Sequence, residues 1–277
     1  MDTDGLNPQA ASAAERQRRA QQLVPFRSAR LLRVLSRLGA RGRDQPPVAE
    51  VTDRTIPGPG GELPIRVYRP EGETPFPTVV FFHGGGFITG DLDTHDALCR
   101  YLTRESGAVV VSVDYRLAPE HPFPAAAEDA IAATEWAAEH TRALGGTGAL
   151  AVVGDSAGGN LAAVAALAAR DRGGPDIDYQ ALIYPGVGVD RDQESVREYS
   201  GLVLSEDDWS GSTSVTTGAN CTDTTPTPTR SPRVISPASR RPQSLPRASI
   251  RSGMAVAPTP NASGATVSRS ATSNTRT

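Results

Sequence analysis

The chain has 277 residues, room for one large domain or two small ones, and a formal net charge of −3 that averages two unlike parts. Residues 1–208 carry 20 arginines against 30 acids, whereas residues 209–277 carry 8 arginines against the single acid Asp223. Cys99 and Cys221 give neither a disulfide framework nor a metal-ligand spacing, and no apolar run is long enough for a membrane span. No metal, cofactor or nucleic-acid partner is expected. The acidic, polar start Met1-Asp2-Thr3-Asp4-Gly5 is unlike a signal peptide, so a cytoplasmic location is expected. Every basic residue is arginine and none is lysine, which points to a gene of high GC content.

Residues 15–40 read as helical, with Leu31, Val34, Leu35 and Leu38 on one stripe and Arg30, Arg33 and Arg37 outside it. The stripe suits a lid over a pocket or, equally, a packing helix with a solvated basic face. Gly39 to Pro47 breaks the pattern. Strand signals at 49–56 and 63–69, separated by Pro57-Gly58-Pro59-Gly60-Gly61, predict an antiparallel hairpin. Thr78 to Phe82 is a continuous apolar run, as in a strand buried on both faces, and leads straight into His83-Gly84-Gly85-Gly86-Phe87.

A helix pattern begins near Asp93-Thr94. Ala108 to Val113 is a second buried strand, and Asp114 to Pro124 a loop. A helix then carries Ile131 and Trp136. Leu150 to Val153 forms a strand before Ser156, Leu161 to Ala169 a helix after it, and Tyr179 to Tyr184 one more strand closed by Pro185. Buried strands alternating with helices predict an α/β fold, a mostly parallel sheet covered on both faces with the hairpin at one edge.

The chemistry centres on Gly154-Asp155-Ser156-Ala157-Gly158-Gly159-Asn160. A strand, a tight turn and a helix place Ser156 at the apex, with Gly154 and Gly158 allowing close approach of backbone. A serine that only caps the helix is the plainer alternative. Acyl transfer needs a nucleophile, a base and donors for the oxyanion. Ser156 supplies the first, and the amides of Gly84, Gly85 and Ala157 are read as the donors. Gly84–Gly86 has no Lys-Ser/Thr after it, which excludes a P-loop.

Together, His83–Phe87, Asp114–Pro124 and Gly154–Asn160 resemble the hormone-sensitive-lipase-like branch of α/β-hydrolase esterases, in order and in spacing, over residues from about 15 to 208. The resemblance implies an eight-stranded α/β-hydrolase sheet with an N-terminal helical cap (residues 1–45) on a core (46–208). It also implies cofactor-free hydrolysis of short- to medium-chain carboxylic esters. Ser156 is then the nucleophile of a serine carboxylesterase, with an oxyanion hole of Gly84, Gly85 and Ala157. His83 props the glycine loop, supported by Gly86, Gly154, Asp155 and Gly158.

In that fold the acid and the base follow the serine along the chain. The four histidines, His83, His95, His121 and His140, all precede Ser156. The catalytic Asp and His are therefore absent. His95 and His121 are the only conceivable substitutes near the pocket, and loop-anchoring is the more economical role for both. After Asp208 the chain turns to Ser, Thr, Pro, Ala and Arg, with the composition of a disordered linker.

GC-rich back-translation offers a reason. Read from the third base of each codon, Ala248 to Gly264 permits Phe-Asp-Pro-Val-Arg-Asp-Gly-Gly-Arg-Ala-Tyr-Ala-Glu-Arg-Leu-Gly, which resembles the family's segment around its catalytic aspartate. Upstream from Ile235 and onward from Trp209 the same offset permits further family-like sequence. A one-base deletion (or two-base insertion) near Asp208–Trp209 is the inferred cause, making residues 209–277 a frameshift product. The expected product has an exposed strand at Tyr179–Tyr184 and little esterase activity. A non-catalytic small-molecule binder on the same fold, or a truncated core with a disordered interaction tail, are the other readings. Oligomeric state is not legible.

Overall fold

The computed structural model describes residues 29–187 together with Ser12. The notional helix over 15–28, the stretch 188–208 and the tail 209–277 lie outside the described residues. In chain order the elements are α1 (Ala29–Ala40), β1 (Glu50–Gly58), β2 (Gly61–Arg69), β3 (Phe76–Phe82), α2 (Asp96–Ser106), β4 (Val109–Val113), α3 (Ala125–His140), β5 (Gly146–Asp155), α4 (Ala157–Arg172) and β6 (Tyr179–Ile183).

The strands form one six-stranded sheet in the order β1-β2-β4-β3-β5-β6. The predicted hairpin is there: β1 pairs antiparallel with β2 from Glu50↔Arg69 to Gly58↔Gly61, with Pro59-Gly60 as its turn. β2 joins β4 antiparallel. β4, β3, β5 and β6 then run parallel. The Val- and Phe-rich runs of β3 and β4 are buried almost throughout, as strands covered on both faces must be. On one face Val80, Phe82, Val111, Val113 and Val152 pack on Ala130, Ala133 and Ala137 of α3 and on Leu161, Ala162 and Ala165 of α4. On the other, Tyr68, Val79, Phe81, Val110 and Val153 pack with Cys99 of α2. Cys99 is a buried free thiol whose pKa burial pushes up to about 12, a core residue rather than a nucleophile.

The strand order fixes where chemistry can occur. From β3 the chain steps outward to β4, then crosses back over β3 to place β5 on its other side. The order therefore reverses between β3 and β5. The loops leaving their carboxyl ends diverge there and open the crevice in which parallel sheets bind ligands. Phe82 of β3 lies opposite Gly154 of β5, so His83–Gly86 and Ser156 emerge side by side.

The Asp114–Pro124 loop is held to α3 by one buried carboxylate. Asp129, 2 % exposed at its side chain, accepts from the Arg116 amide at 2.9 Å, Nε at 2.9 Å and a terminal nitrogen at 2.8 Å. Arg116→Ala is expected to lower stability by about 3 kcal/mol, because it strands a buried charge that only a main-chain donor still serves. Urea denaturation measures it.

Two expectations need amending. The stripe Leu31, Val34, Leu35 and Leu38 does not pack inward; these side chains are 43 %, 52 %, 40 % and 50 % exposed. Two of the three arginines outside the stripe, Arg33 and Arg37, are held by partners, while Arg30 is exposed, so the basic face is only partly solvated. Arg33 donates to the carbonyls of Ile88 and Ala118, both at 2.8 Å, and to both oxygens of Glu120. Arg37 pairs with Asp91. Also, the second helix begins at Asp96 rather than near Asp93. Asp91 and Thr94 exchange hydrogen bonds at 2.8 Å, holding that stretch as a turn. At the far edge β6 pairs only with β5 among the described residues, and Tyr179 and Tyr184 are 67 % and 73 % exposed. Any seventh and eighth strand implied by the resemblance would fall outside the described residues.

Candidate active site

Ser156 sits between β5 and α4 with φ 53° and ψ −114°, a backbone conformation that costs a non-glycine residue about 1–3 kcal/mol. Its surroundings hold it there. The Ser156 amide donates to Ile183 O at 2.9 Å, and its carbonyl accepts from Asn160 and Gly186 amides at 3.1 Å each. The Asn160 side chain adds a bond to Gly186 O at 2.8 Å. A β-carbon on Gly154 would collide with the Gly158 main chain, and one on Gly158 with the carbonyls of Phe82 and His83. The serine is more than a helix cap: its side chain makes no capping hydrogen bond, and the turn presses against the end of β3.

His83 is fully buried, stacked on Tyr115 with ring centroids 4.3 Å apart, and its carbonyl accepts the Tyr115 hydroxyl at 2.7 Å. Its Nδ1 lies 2.9 Å from Gly84 O, which requires the proton on Nδ1. Burial first, and then the neighbouring His95, lowers its pKa to about 4. The neutral imidazole is thereby tied to the main chain of the glycine loop. Past it, Gly85 (φ 128°), Gly86 (φ 62°) and Phe87 (φ 63°) turn the chain left-handed, and Gly85 O accepts the amides of Ile88 and Thr89. A side chain at Gly85 would also run into the Thr89 carbonyl.

The expected donor set requires a correction. The Gly84 amide donates to Asp155 Oδ1 at 2.9 Å, so in this arrangement it is occupied and does not face an oxyanion. Gly85 and Ala157 remain the candidate donors. Asp155 is accordingly more than motif support: its carboxylate, on the residue before Ser156, accepts from the first glycine of the loop. No local pattern signals this, because the two residues lie 71 positions apart. Burial, the largest influence on Asp155, favours its neutral form. His95, with Nε2 at 3.7 Å, and the Gly84 amide outweigh it and hold the pKa below the usual carboxylate value. The Tyr184 hydroxyl stands 3.5 Å from the other oxygen.

The four histidines have different settings. His83 is sealed in. His95 is engaged by Asp155 and by the Thr94 hydroxyl, 3.1 Å from its Nδ1. His121 is exposed on the loop. His140 closes α3, stacked on Trp136 and bonded to its carbonyl at 2.8 Å. Burial and then the charge of Asp91 raise the Asp114 carboxyl to about 6.

A strained serine after a central parallel strand, beside a glycine loop at the sheet's reversal point, matches a known architecture. The family's sequence profile, that of the alpha/beta hydrolase fold, matches residues 79–253. This chain belongs to that family. It is 53 % identical to esterase LipI of Mycobacterium tuberculosis, over 55 % of this chain and 49 % of that protein. With carboxylic ester hydrolase LipN of the same organism it shares 57 % identity over 49 % of this chain and 38 % of the relative. The chain thus spans half the length of these curated relatives, or less. Among solved structures, the hyperthermophilic esterase of Pyrobaculum calidifontis superposes with a TM-score of 0.70 at 43 % identity, covering 76 % of this chain and 70 % of that one. The family match continues past Asp208 to residue 253, into the stretch whose composition departs from the rest.

Proposed function

We propose that this chain derives from a serine carboxylesterase of the hormone-sensitive-lipase-like branch and that the polypeptide, as encoded, retains the nucleophile without the machinery to use it. The observation that carries the reading is the strained Ser156 turn tied through Asp155 to the glycine loop. In the full reaction Ser156 Oγ attacks the ester carbonyl and a base takes its proton. The tetrahedral oxyanion rests on the amides of Gly85 and Ala157, and the alcohol leaves an acyl-serine that water then cleaves. Short- to medium-chain esters are the proposed substrate class. No cofactor takes part in this scheme.

The proposed division is a cap over 1–45, an incomplete hydrolase core over 46–208 and an out-of-frame tail over 209–277. The reach of the family match to residue 253 favours a core that continues further, and sequencing the gene across the Asp208 codon decides between them. Without a base or its acid partner, only binding and oxyanion stabilisation contribute to rate, several orders of magnitude below an intact triad. Purified soluble protein is expected to hydrolyse p-nitrophenyl butyrate no faster than its Ser156→Ala variant. A turnover that Ser156→Ala abolishes would show that a base is present and overturn the claim of lost activity.

A further inference from the structure

We propose that the outward face of α1 docks on an anionic lipid surface. Val34, Leu35 and Leu38 lie 52 %, 40 % and 50 % exposed along one side of this helix, which has no buried residue. An amphipathic helix on a globular body normally buries that side. Here the opposite side is fastened instead, by the bonds of Arg33 to Ile88, Ala118 and Glu120 and of Arg37 to Asp91. Those contacts fix the rotation of the helix, so the aliphatic side is aimed away from the body by specific polar bonds.

The charge around it selects the occupant. Residues 29–43 hold five arginines and no acid, whereas residues 44–208 hold 11 arginines and 27 acids. Arg33 and Arg37 are matched by carboxylates on the inward side, while Arg30 and Arg41, which border the aliphatic side, are exposed. Exposed aliphatic residues beside exposed arginines are the pattern of a helix lying in a lipid interface, where apolar burial and attraction to anionic headgroups add. The acidic stretch 44–208 is repelled by the same surface, which turns α1 towards it, and the basic stretch 209–277 is told apart from α1 by the variants below, which leave it unchanged. A second copy fits less well. A two-fold contact through this face would bring Arg30 and Arg41 of both copies together.

Orientation matters for the site. Arg33 reaches Ile88 and Ala118, on the loops that leave β3 and β4 at their carboxyl ends, where Ser156 also emerges. A protein lying on α1 therefore presents that end of its sheet to the lipid. The proposal goes beyond the esterase reading, and its test reads binding alone, so either can fail without the other.

The full-length protein, cleared of aggregate by centrifugation, is sedimented with vesicles of phosphatidylcholine containing phosphatidylglycerol and with vesicles of phosphatidylcholine alone. Binding is expected to the anionic vesicles only and to fall with added salt. Val34→Glu combined with Leu38→Glu is expected to reduce the bound fraction about tenfold or more. Arg30→Gln with Arg41→Gln is expected to weaken binding and flatten its salt dependence. Failure of the parent protein to sediment with anionic vesicles overturns the proposal, as does equal sedimentation of the double glutamate variant. Two lipid-free results also overturn it. A parent dimer that the glutamates convert to monomer by light scattering assigns the face to a second copy. A melting temperature several degrees lower in the glutamate variant assigns it to another segment of this chain.

Discussion

Gly158→Ala is expected to lower stability by about 3 kcal/mol or more, while Gly39→Ala, the same change on α1, is expected to leave it unaltered or slightly firmer. Position 158 opens α4 directly beneath the serine turn, and a methyl group there would press into the carbonyls of Phe82 and His83. Neither can retreat. Phe82 is fully buried and paired to Val113 on one side and Gly154 on the other, and the His83 carbonyl is held by Tyr115. Ordinary overpacking of a core costs about 1–3 kcal/mol, relieved by side-chain rotation. Here the colliding atoms are main chain, so the cost belongs at or above the upper end of that range. That is a large part of the 5–15 kcal/mol a typical domain has. At Gly39 nothing lies within 4 Å of the added carbon, and alanine is the better helix former by about 1 kcal/mol. Urea denaturation of both variants checks the contrast, and equal midpoints would contradict the packing described for the turn.

The parts of the fold legible from sequence are those written in short-range pattern. Continuous apolar runs gave β3 and β4 their place in the middle of the sheet. The Pro-Gly stretch marked the edge hairpin, and the glycines around Ser156 marked a turn where backbones meet. What escaped was set by bonds between distant residues. The aliphatic stripe of α1 reads as an inward face, and nothing near Arg33 reveals that its partners are carbonyls 55 and 85 positions away. Counting glycines likewise suggested that Gly84 is an oxyanion donor. Its amide is claimed by Asp155, a residue whose local signal points only to the serine turn. β5 starts at Gly146, four residues before its apolar run, because it follows Phe76 at the start of β3 as a pairing partner rather than any preference of its own. Short-range pattern thus located the serine turn, and long-range polar contacts decided which residues surround it.

Restoring one reading frame is expected to change activity more than any substitution in the present chain. The Ser156 turn is formed and strained, and the glycine loop is tied to His83, Tyr115 and Asp155; His83, His95 and His140 are held by other partners, and His121 is exposed on its loop. A serine hydroxyl at neutral pH is a poor nucleophile without a base, and loss of the base alone costs a serine hydrolase about 10⁶-fold in turnover. The sequence after Asp208 permits, with one frame offset, an Asp-Pro-Val-Arg-Asp segment at the position where the family carries its acid. If a one-base deletion produced the tail, inserting a base at the Asp208–Trp209 junction regenerates the Asp-Pro-Val-Arg-Asp segment and reopens the frame in which, by the family resemblance, the base and the strands that cover β6 would follow. The expected result is a soluble enzyme with kcat/KM for p-nitrophenyl butyrate raised by about 10⁴-fold or more, wholly dependent on Ser156. The same insertion also covers Tyr179 and Tyr184, so the gain in activity is expected to come with a gain in solubility. An insertion that yields an insoluble or inactive product would show that the tail is the true sequence of this gene. The oxyanion loop would then be serving a site that never received its base.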